Sequence, residues 1–326
     1  MGELKTITKS EFDKKMELHR LWVDEIEGGE RASFSGEHFD NGIDMSCMDL
    51  RHVDFSGAHF TRTSFRGAQL ISSDLSGAHM SGVDFTGACM RESDLTGASI
   101  KYSNFDNAIL NRAILKDAEI HGTNMMRTSM VRAVMENALL DNVNMRWSDL
   151  SGADFGGSNL WRVNMSATKL SMANFASAGI NELCCFNGAS MDDAIFTSAS
   201  ISKSVMFDKA DIYGCEFDGE ERNRLGRILD HPIKGYKRSG EGDIVTLEIP
   251  AGAVVFSINN GKCRTNIAKV VDTGGEAELR SSYDPRFKYR VGEELRAKDF
   301  CMAYNVECES GIHFYKTREE AVRYKI

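Results

Sequence analysis

VDFSGAHFTRTSFRGAQLISSDLSG, residues 53–77, places an apolar residue at every fifth position: Phe55, Phe60, Phe65, Leu70 and Leu75. Extending the count in both directions, from Met45 to Ile180, gives an apolar residue at all twenty-eight stops. A chain that is 42% apolar does not sustain such a run by chance. A period of five fits neither the 3.6 residues of a helix nor the two of a strand. Self-similarity at a fixed period marks a solenoid, which offers surface rather than a pocket.

The residue two before each stop is small or β-branched nearly every time, as in Ala58, Thr63, Ala68, Ser73, Ala78 and Val83. The residue between is often Asp or Asn, and the unit reads A-(D/N)-(L/F/M)-x-x. This resembles the pentapeptide-repeat family over about residues 34–218. The resemblance implies a right-handed quadrilateral β-helix with four pentads, twenty residues, per coil. Stacking by twenty places Phe65, Phe85 and Phe105 in one interior column, and Ala58, Ala78 and Ala98 in another. Gly57, Gly67, Gly77, Gly87 and Gly97 supply alternate corners with the left-handed φ of a type II turn. Corners without glycine, at Arg62, Ser72 and Glu92, are expected to turn differently, while Asn107, Asp117, Asn137 and Asn142 tolerate the left-handed region. One extra residue follows Phe39, another precedes Phe186 and a third precedes Phe207. Thirty-seven units make about nine coils, a rod roughly 45 Å long at about 4.8 Å per strand.

The expected organisation is mainly β: an N-terminal helical cap (1–33), the β-helix (34–218), a connecting segment (219–232) and a small α+β domain (233–326). An open coil end recruits other chains unless covered. Residues 9–27 supply a cover, with Ser10 as cap and Phe12, Met16, His19, Trp22 and Ile26 at helical spacing before Gly28-Gly29. The stretch HRLW…GGERASF resembles the helical lead-in of pentapeptide-repeat proteins from bacteria and phage. His19 and Trp22 read as packing, not as a binding pair. Residues 220–232 are expected to form a short helix ended by Pro232. Strands are expected at 244–250, 253–258, 267–271, 287–291 and 311–315, then a helix capped by Thr317 with Glu320 three residues on. The segments SSYDPRFKYRVGE (281–293) and ECESGIHFYKTREEAVRY (307–324) resemble an uncharacterised domain that follows such repeats, which brings no activity with it.

The formal net charge is −9. Residues 34–218 hold 23 acidic and 14 basic side chains, so the negative field belongs to the rod. That argues against direct nucleic-acid binding, which needs a basic surface. No apolar run is long enough to span a bilayer, and MGELKTITKSEF lacks the core of a signal peptide, so a cytoplasmic location is expected. Gly2 with Thr6 fits a myristoylation motif only superficially. Eight cysteines without a C-x-x-C pair read as reduced thiols. Cys301, Cys308 and His313 do not have zinc spacing, and neither metal nor cofactor is expected.

The resulting expectation is a non-enzymatic protein-binding rod with an acidic docking face carrying Asp54, Asp74, Asp84 and Asp94. Asx at this position also bonds nearby backbone, and the Asn column 104, 124, 144 and 164 reads as an amide ladder. Some family members mimic DNA and bind a type II topoisomerase such as gyrase, which makes a DNA-binding enzyme the implied protein partner and a counter-defence or inhibitor role the implied use. The alternative is an effector. GIHFY…EEAVRY resembles the strand-and-helix segment of ADP-ribosyltransferases, which implies a nucleotide site lined by Tyr236, Arg264, Ser282, Tyr289 and His313. No catalytic residue is assigned.

Overall fold

The computed structural model describes residues 6–39, 43–202, 204–207, 210, 212, 215–217, 227–229, 231–257, 262–281, 287–297 and 312–323. The chain divides between Met206 and Phe207 into two compact units.

The first unit opens with helix α1, Lys9–Val23. Its cap is Thr8, not the expected Ser10. The Thr8 hydroxyl accepts from Glu11 N–H at 3.2 Å while the Glu11 carboxylate accepts from Thr8 N–H at 3.0 Å, a reciprocal capping box. The helix ends at Val23, short of the expected residue 27, because Asp24 caps it and Glu25 turns into the left-handed region at φ +55°. Gly29 then runs against the helix: a Cβ there would lie 2.2 Å from the Trp22 nitrogen.

The coils follow as a four-sided tube. One side is a nine-stranded parallel sheet: β1 (His38–Phe39), β2 (His59–Thr61), β3 (His79–Ser81), β4 (Ser99–Lys101), β5 (Glu119–His121), β6 (Leu139–Asp141), β7 (Asn159–Trp161), β8 (Gly179–Ile180) and β10 (Ser200–Ile201), while β9 (Ile195–Phe196) follows Asn174 on another side. The other sides are columns of single bridges, such as Asp54 to Asp74 to Asp94 and Asp84 to Asn104 to Asn124. Coils join by backbone bonds of the kind Phe65 N–H to Asp84 O, 2.8 Å, and Phe85 N–H to Asn104 O, 2.7 Å. The apolar stops point inward. Phe65, Phe85 and Phe105 are fully buried and stack with centroids 4.9 and 4.6 Å apart. Some hydroxyls in the small-residue columns are satisfied locally, as Ser73 donates to Leu70 O at 2.8 Å and Ser93 to Met90 O at 2.8 Å, whereas those of Thr63 and Ser158 are buried without a partner among the described residues.

The corners differ from expectation. Arg62, Ser72 and Glu92 are also left-handed, at φ +51°, +54° and +57°, like Gly57 at +64° and Asn107 at +60°. Closing a square coil demands that backbone sign at every corner, whatever residue stands there. The extra residues widen single coils, so that Ser33 pairs Asp54 and Asn164 pairs Cys185 at 21-residue steps.

His19 pins the helix to the coils. It is buried; its Nδ1 accepts from Ala32 N–H at 3.2 Å, and its Nε2 faces Arg51 O at 2.9 Å and donates to it. The neutral Nε2–H ring fits both bonds. Burial lowers the His19 pKa, reinforced by Arg31 and His52 and opposed by the Arg51 carbonyl and Asp49. The unfolded chain therefore binds a proton here at a pH where the folded one does not. This stabilisation is complete above the ordinary value of 6.5 and is lost as pH falls below it. Melting temperature is expected to drop between pH 7.5 and 5.5, and the drop to shrink in His19→Gln. An undiminished drop in that variant would assign the pH response elsewhere.

The second unit opens with the short strand β11 (Glu216–Phe217) and then holds β12 (Arg227–Ile228), β13 (Ile233–Arg238), β14 (Ile244–Ile249), β15 (Val254–Ser257), β16 (Lys262–Thr265), β17 (Ile267–Asp272), β20 (Glu294–Arg296) and β21 (Ile312–Tyr315). They form a sheet in the order β12-β15-β16-β21-β13-β14-β17-β20, and β18 (Leu279–Arg280) pairs β19 (Lys288–Tyr289). Residues 227 and 228 are thus strand, not the expected helix, because they pair with Val255 and Val254; 220–226 lie outside the described residues. One sheet face buries Val245, Leu247, Ile249, Cys263, Val270 and Phe314. Gly235 lets β13 approach that core, since a Cβ there would meet the Phe314 ring at 2.5 Å. Helix α2, Arg318–Arg323, has the expected capping box: Glu320 N–H donates to the Thr317 hydroxyl at 3.2 Å and Thr317 N–H to Glu320 at 3.1 Å.

Candidate protein-docking surfaces

The expected acidic residues fall on two sides of the rod. Asp54, Asp74 and Asp94 form one column in successive coils, whereas Asp84 sits in another, below Asn104. Each carboxylate accepts the N–H two residues on: Ser56 at 3.0 Å, Ser76 at 2.9 Å, Thr86 at 2.9 Å and Thr96 at 2.8 Å. That bond fixes the side chain upright, and the second oxygen of Asp54 accepts from the Ser33 hydroxyl at 2.6 Å. Burial alone would raise the Asp54 pKa, but bonds from Ser33 and Ser56 outweigh it and hold the carboxyl below its ordinary value. The Asp54–Asp74–Asp94 column is flanked by Ser56, Ser76 and Thr96, then Gly57, Gly77 and Gly97. Among the described residues none of the three carboxylates forms a salt bridge, whereas Asp84 faces Arg66 at 3.8 Å.

The Asn column is not an amide ladder. Asn104 accepts from Asp106 N–H at 3.0 Å and Asn164 from Ser166 N–H at 3.0 Å, while Asn104 Nδ2 donates to the Thr86 hydroxyl at 3.1 Å. The side chains serve the turn that follows them, as the aspartates do.

In the second unit the expected polar lining comes apart. Arg264 and His313 are direct partners across β16 and β21, and Tyr236 pairs Tyr315 across β13 and β21. These four alternate with the core residues Cys263, Phe314 and Gly235, so they share the face opposite the core. Tyr289 does not join them. It is buried in the core with Leu247 and Phe314, where desolvation pushes its pKa up to about 12 against a bond with Ser281. A single pocket lined by Tyr289 and His313 is therefore corrected: Tyr289 packs in the core cluster, whereas His313 alternates with the core residues Ile312 and Phe314. Ser282, Cys301 and Cys308 lie outside the described residues. Among the described residues no His, Cys, Asp or Glu cluster has metal-binding geometry, and no helix is long and apolar enough to cross a membrane.

Sequence reasoning missed a third feature. Trp147 stands exposed at a corner, with Arg127 one coil before it and Arg146 beside it. The signal was present, because a corner favours glycine or Asn and an indole there answers no packing need.

Residues 49–87, 93–130, 127–157 and 144–178 match the family of pentapeptide repeats (8 copies), and residues 226–321 match a family of unknown function, DUF5758. An uncharacterized protein of Acanthamoeba polyphaga mimivirus is 34% identical over 96 residues, 25% of this chain and 61% of that protein, so the chain spans less than two thirds of this relative. Among solved structures, HetL, a pentapeptide repeat protein involved in heterocyst differentiation regulation from the cyanobacterium Nostoc sp. strain PCC 7120, is 24% identical. The match covers 61% of this chain and 95% of HetL with a TM-score of 0.46. QnrB1, a plasmid-mediated fluoroquinolone resistance protein, is 14% identical over 60% of this chain and 94% of its own, TM-score 0.33. Residues 49–178 thus carry pentapeptide repeats, and residues 226–321 carry a DUF5758 domain.

Proposed function

We propose that this pentapeptide-repeat protein is a non-enzymatic binding protein whose rod docks a basic protein surface through the Asp54–Asp74–Asp94 column. The observation that supports this reading is the column itself: three upright carboxylates in successive coils, without salt bridges among the described residues and bordered by Ser, Thr and Gly. At about 4.8 Å per coil, the spacing set by stacked strands, their fields add along the rod. The specific form of the reading is mimicry of a DNA strand, with the DNA-binding face of an enzyme such as gyrase as partner and inhibition as the outcome. Four described cysteines, Cys47, Cys89, Cys184 and Cys185, are free thiols, which fits a reducing, cytoplasmic setting. The second unit serves in this reading as a docking module.

Replacing Asp54, Asp74 and Asp94 together by Asn tests it. Asn104 and Asn164 already make the same turn bond, so the fold is expected to persist with an unchanged far-ultraviolet spectrum. Partner affinity is expected to fall about tenfold, at roughly 0.5 kcal/mol per exposed charge. Salt should weaken the native complex, since exposed charges are screened within about 8 Å at physiological ionic strength. Absence of any effect on gyrase supercoiling by the native protein would remove the topoisomerase form. Salt-independent capture of partners, equal in the triple variant, would remove the acidic docking face altogether.

A further inference from the structure

Many cations on the coils face carboxylates. Arg51 pairs Asp49, Arg112 pairs Glu92, Arg162 pairs Asp141 and Lys169 pairs Asp149. Arg127 and Arg146 are used otherwise. Their guanidinium carbons lie 5.2 and 4.4 Å from the centroid of the Trp147 ring, and among the described residues neither forms a salt bridge. The acids around them are engaged elsewhere. Asp106 accepts from Met126 N–H at 2.9 Å, Asp141 holds Arg162 and His121, and Asp149 holds Ser151 and Lys169.

Trp147 itself has no structural reason to be large. It is 46% exposed, and it occupies a corner at φ +60°, where a β-carbon costs conformational energy and glycine does not. An indole held at that cost, bracketed by two guanidinium groups, has the composition of an interface anchor, for Trp and Arg dominate such anchors. Each guanidinium also lies over the ring without a carboxylate partner among the described residues, and a guanidinium fork can take a carboxylate bidentately.

We propose that Trp147, Arg127 and Arg146 form a second docking surface, whose partner is a short acidic peptide segment of another protein. Its carboxylates lie on the two guanidinium forks and an apolar side chain lies on the indole. Charge decides for a short peptide over a nucleic-acid strand. The rod carries net negative charge, with Asp106 bound to Met126 N–H beside Arg127, so a long polyanion would be repelled beyond the two arginines. The surface is separate from the Asp54–Asp74–Asp94 column and does not depend on it.

The test uses the full chain and fluorescence polarisation at low salt, with a fluorescein-labelled Glu-Glu-Phe-Glu-Glu-Phe peptide and a labelled ten-nucleotide thymidine strand as probes. The peptide is expected to bind, and to bind at least about tenfold more weakly to Trp147→Gly and to the Arg127→Gln/Arg146→Gln double variant. Arg62→Gln, a corner arginine elsewhere on the rod, should leave binding unchanged. Trp147→Gly should melt no lower than the native protein, because glycine adopts the corner conformation at less cost; that separates a binding role from a structural one. Peptide binding that is undetectable, or undiminished in the double arginine variant, overturns the proposal, as does tighter binding of the thymidine strand.

Discussion

Phe85→Asp is expected to abolish cooperative folding of the rod rather than merely to lower its melting temperature. Phe85 is fully buried between Phe65 and Phe105, its ring nearly parallel to the first at 8° and 22° from the second. The substitution removes both stacks and places a carboxylate in a tube lined by side chains, where no donor waits for it. An uncompensated buried charge costs several kcal/mol or more, comparable with the whole stability of a domain. A solenoid holds together by nearest-neighbour interfaces, so damage in the third coil splits the stack. Phe85→Leu, which keeps the volume apolar, is expected to cost only about 1–2 kcal/mol and to retain the native spectrum. Circular dichroism with a thermal melt distinguishes these outcomes. A Phe85→Asp protein melting like the native one would mean that the side chain does not face inward.

That confidence in Phe85 comes from the sequence, because an inward position repeats and each repeat tests the reading. Features that depend on one position were harder to see. The corners are an instance: glycine at alternate corners suggested two kinds of turn, yet the backbone at Arg62 and Ser72 is left-handed as well. Coil closure imposes the conformation, and the residue merely tolerates it. Thr8 was legible, since Thr-x-x-Glu precedes the helix, but Ser10 offered a competing cap and only the Glu11 bond decides between them. In the second unit β14, β15, β17 and β21 were legible from alternation, whereas β13 was not, because Lys234, Tyr236 and Arg238 interrupt few apolar residues. The separation of Tyr289 from His313 needed the tertiary packing that buries Tyr289 in the core, which no spacing in the chain encodes. The Trp147 cluster needed the twenty-residue stacking to bring Arg127 alongside.

Removal of residues 1–33 is expected to convert the protein from a discrete species into oligomers or aggregates. The cap covers two things at once. Phe12 is fully buried over the open mouth of the tube, stacked on Phe34 at 5.1 Å and edge-on to Phe39 at 6.2 Å. The segment before the helix closes the backbone edge, with Ile7 N–H donating to His38 O at 3.2 Å and Thr6 bridging His38. Without it, two phenylalanine rings and a row of unpaired strand groups face water. Burying one such ring contributes about 1.5–3 kcal/mol, so the exposed mouth costs several kcal/mol and gains most of that back by docking on another chain. Phe12→Ser separates the two contributions: it leaves the bridge at His38 but opens the tube, and should lower the melting temperature without producing the full aggregation of the truncation. Light scattering and sedimentation of the truncated chain decide the matter. A truncated protein as monodisperse as the intact one would show that the first coil closes its own end, and α1 would then have to be explained by something other than capping.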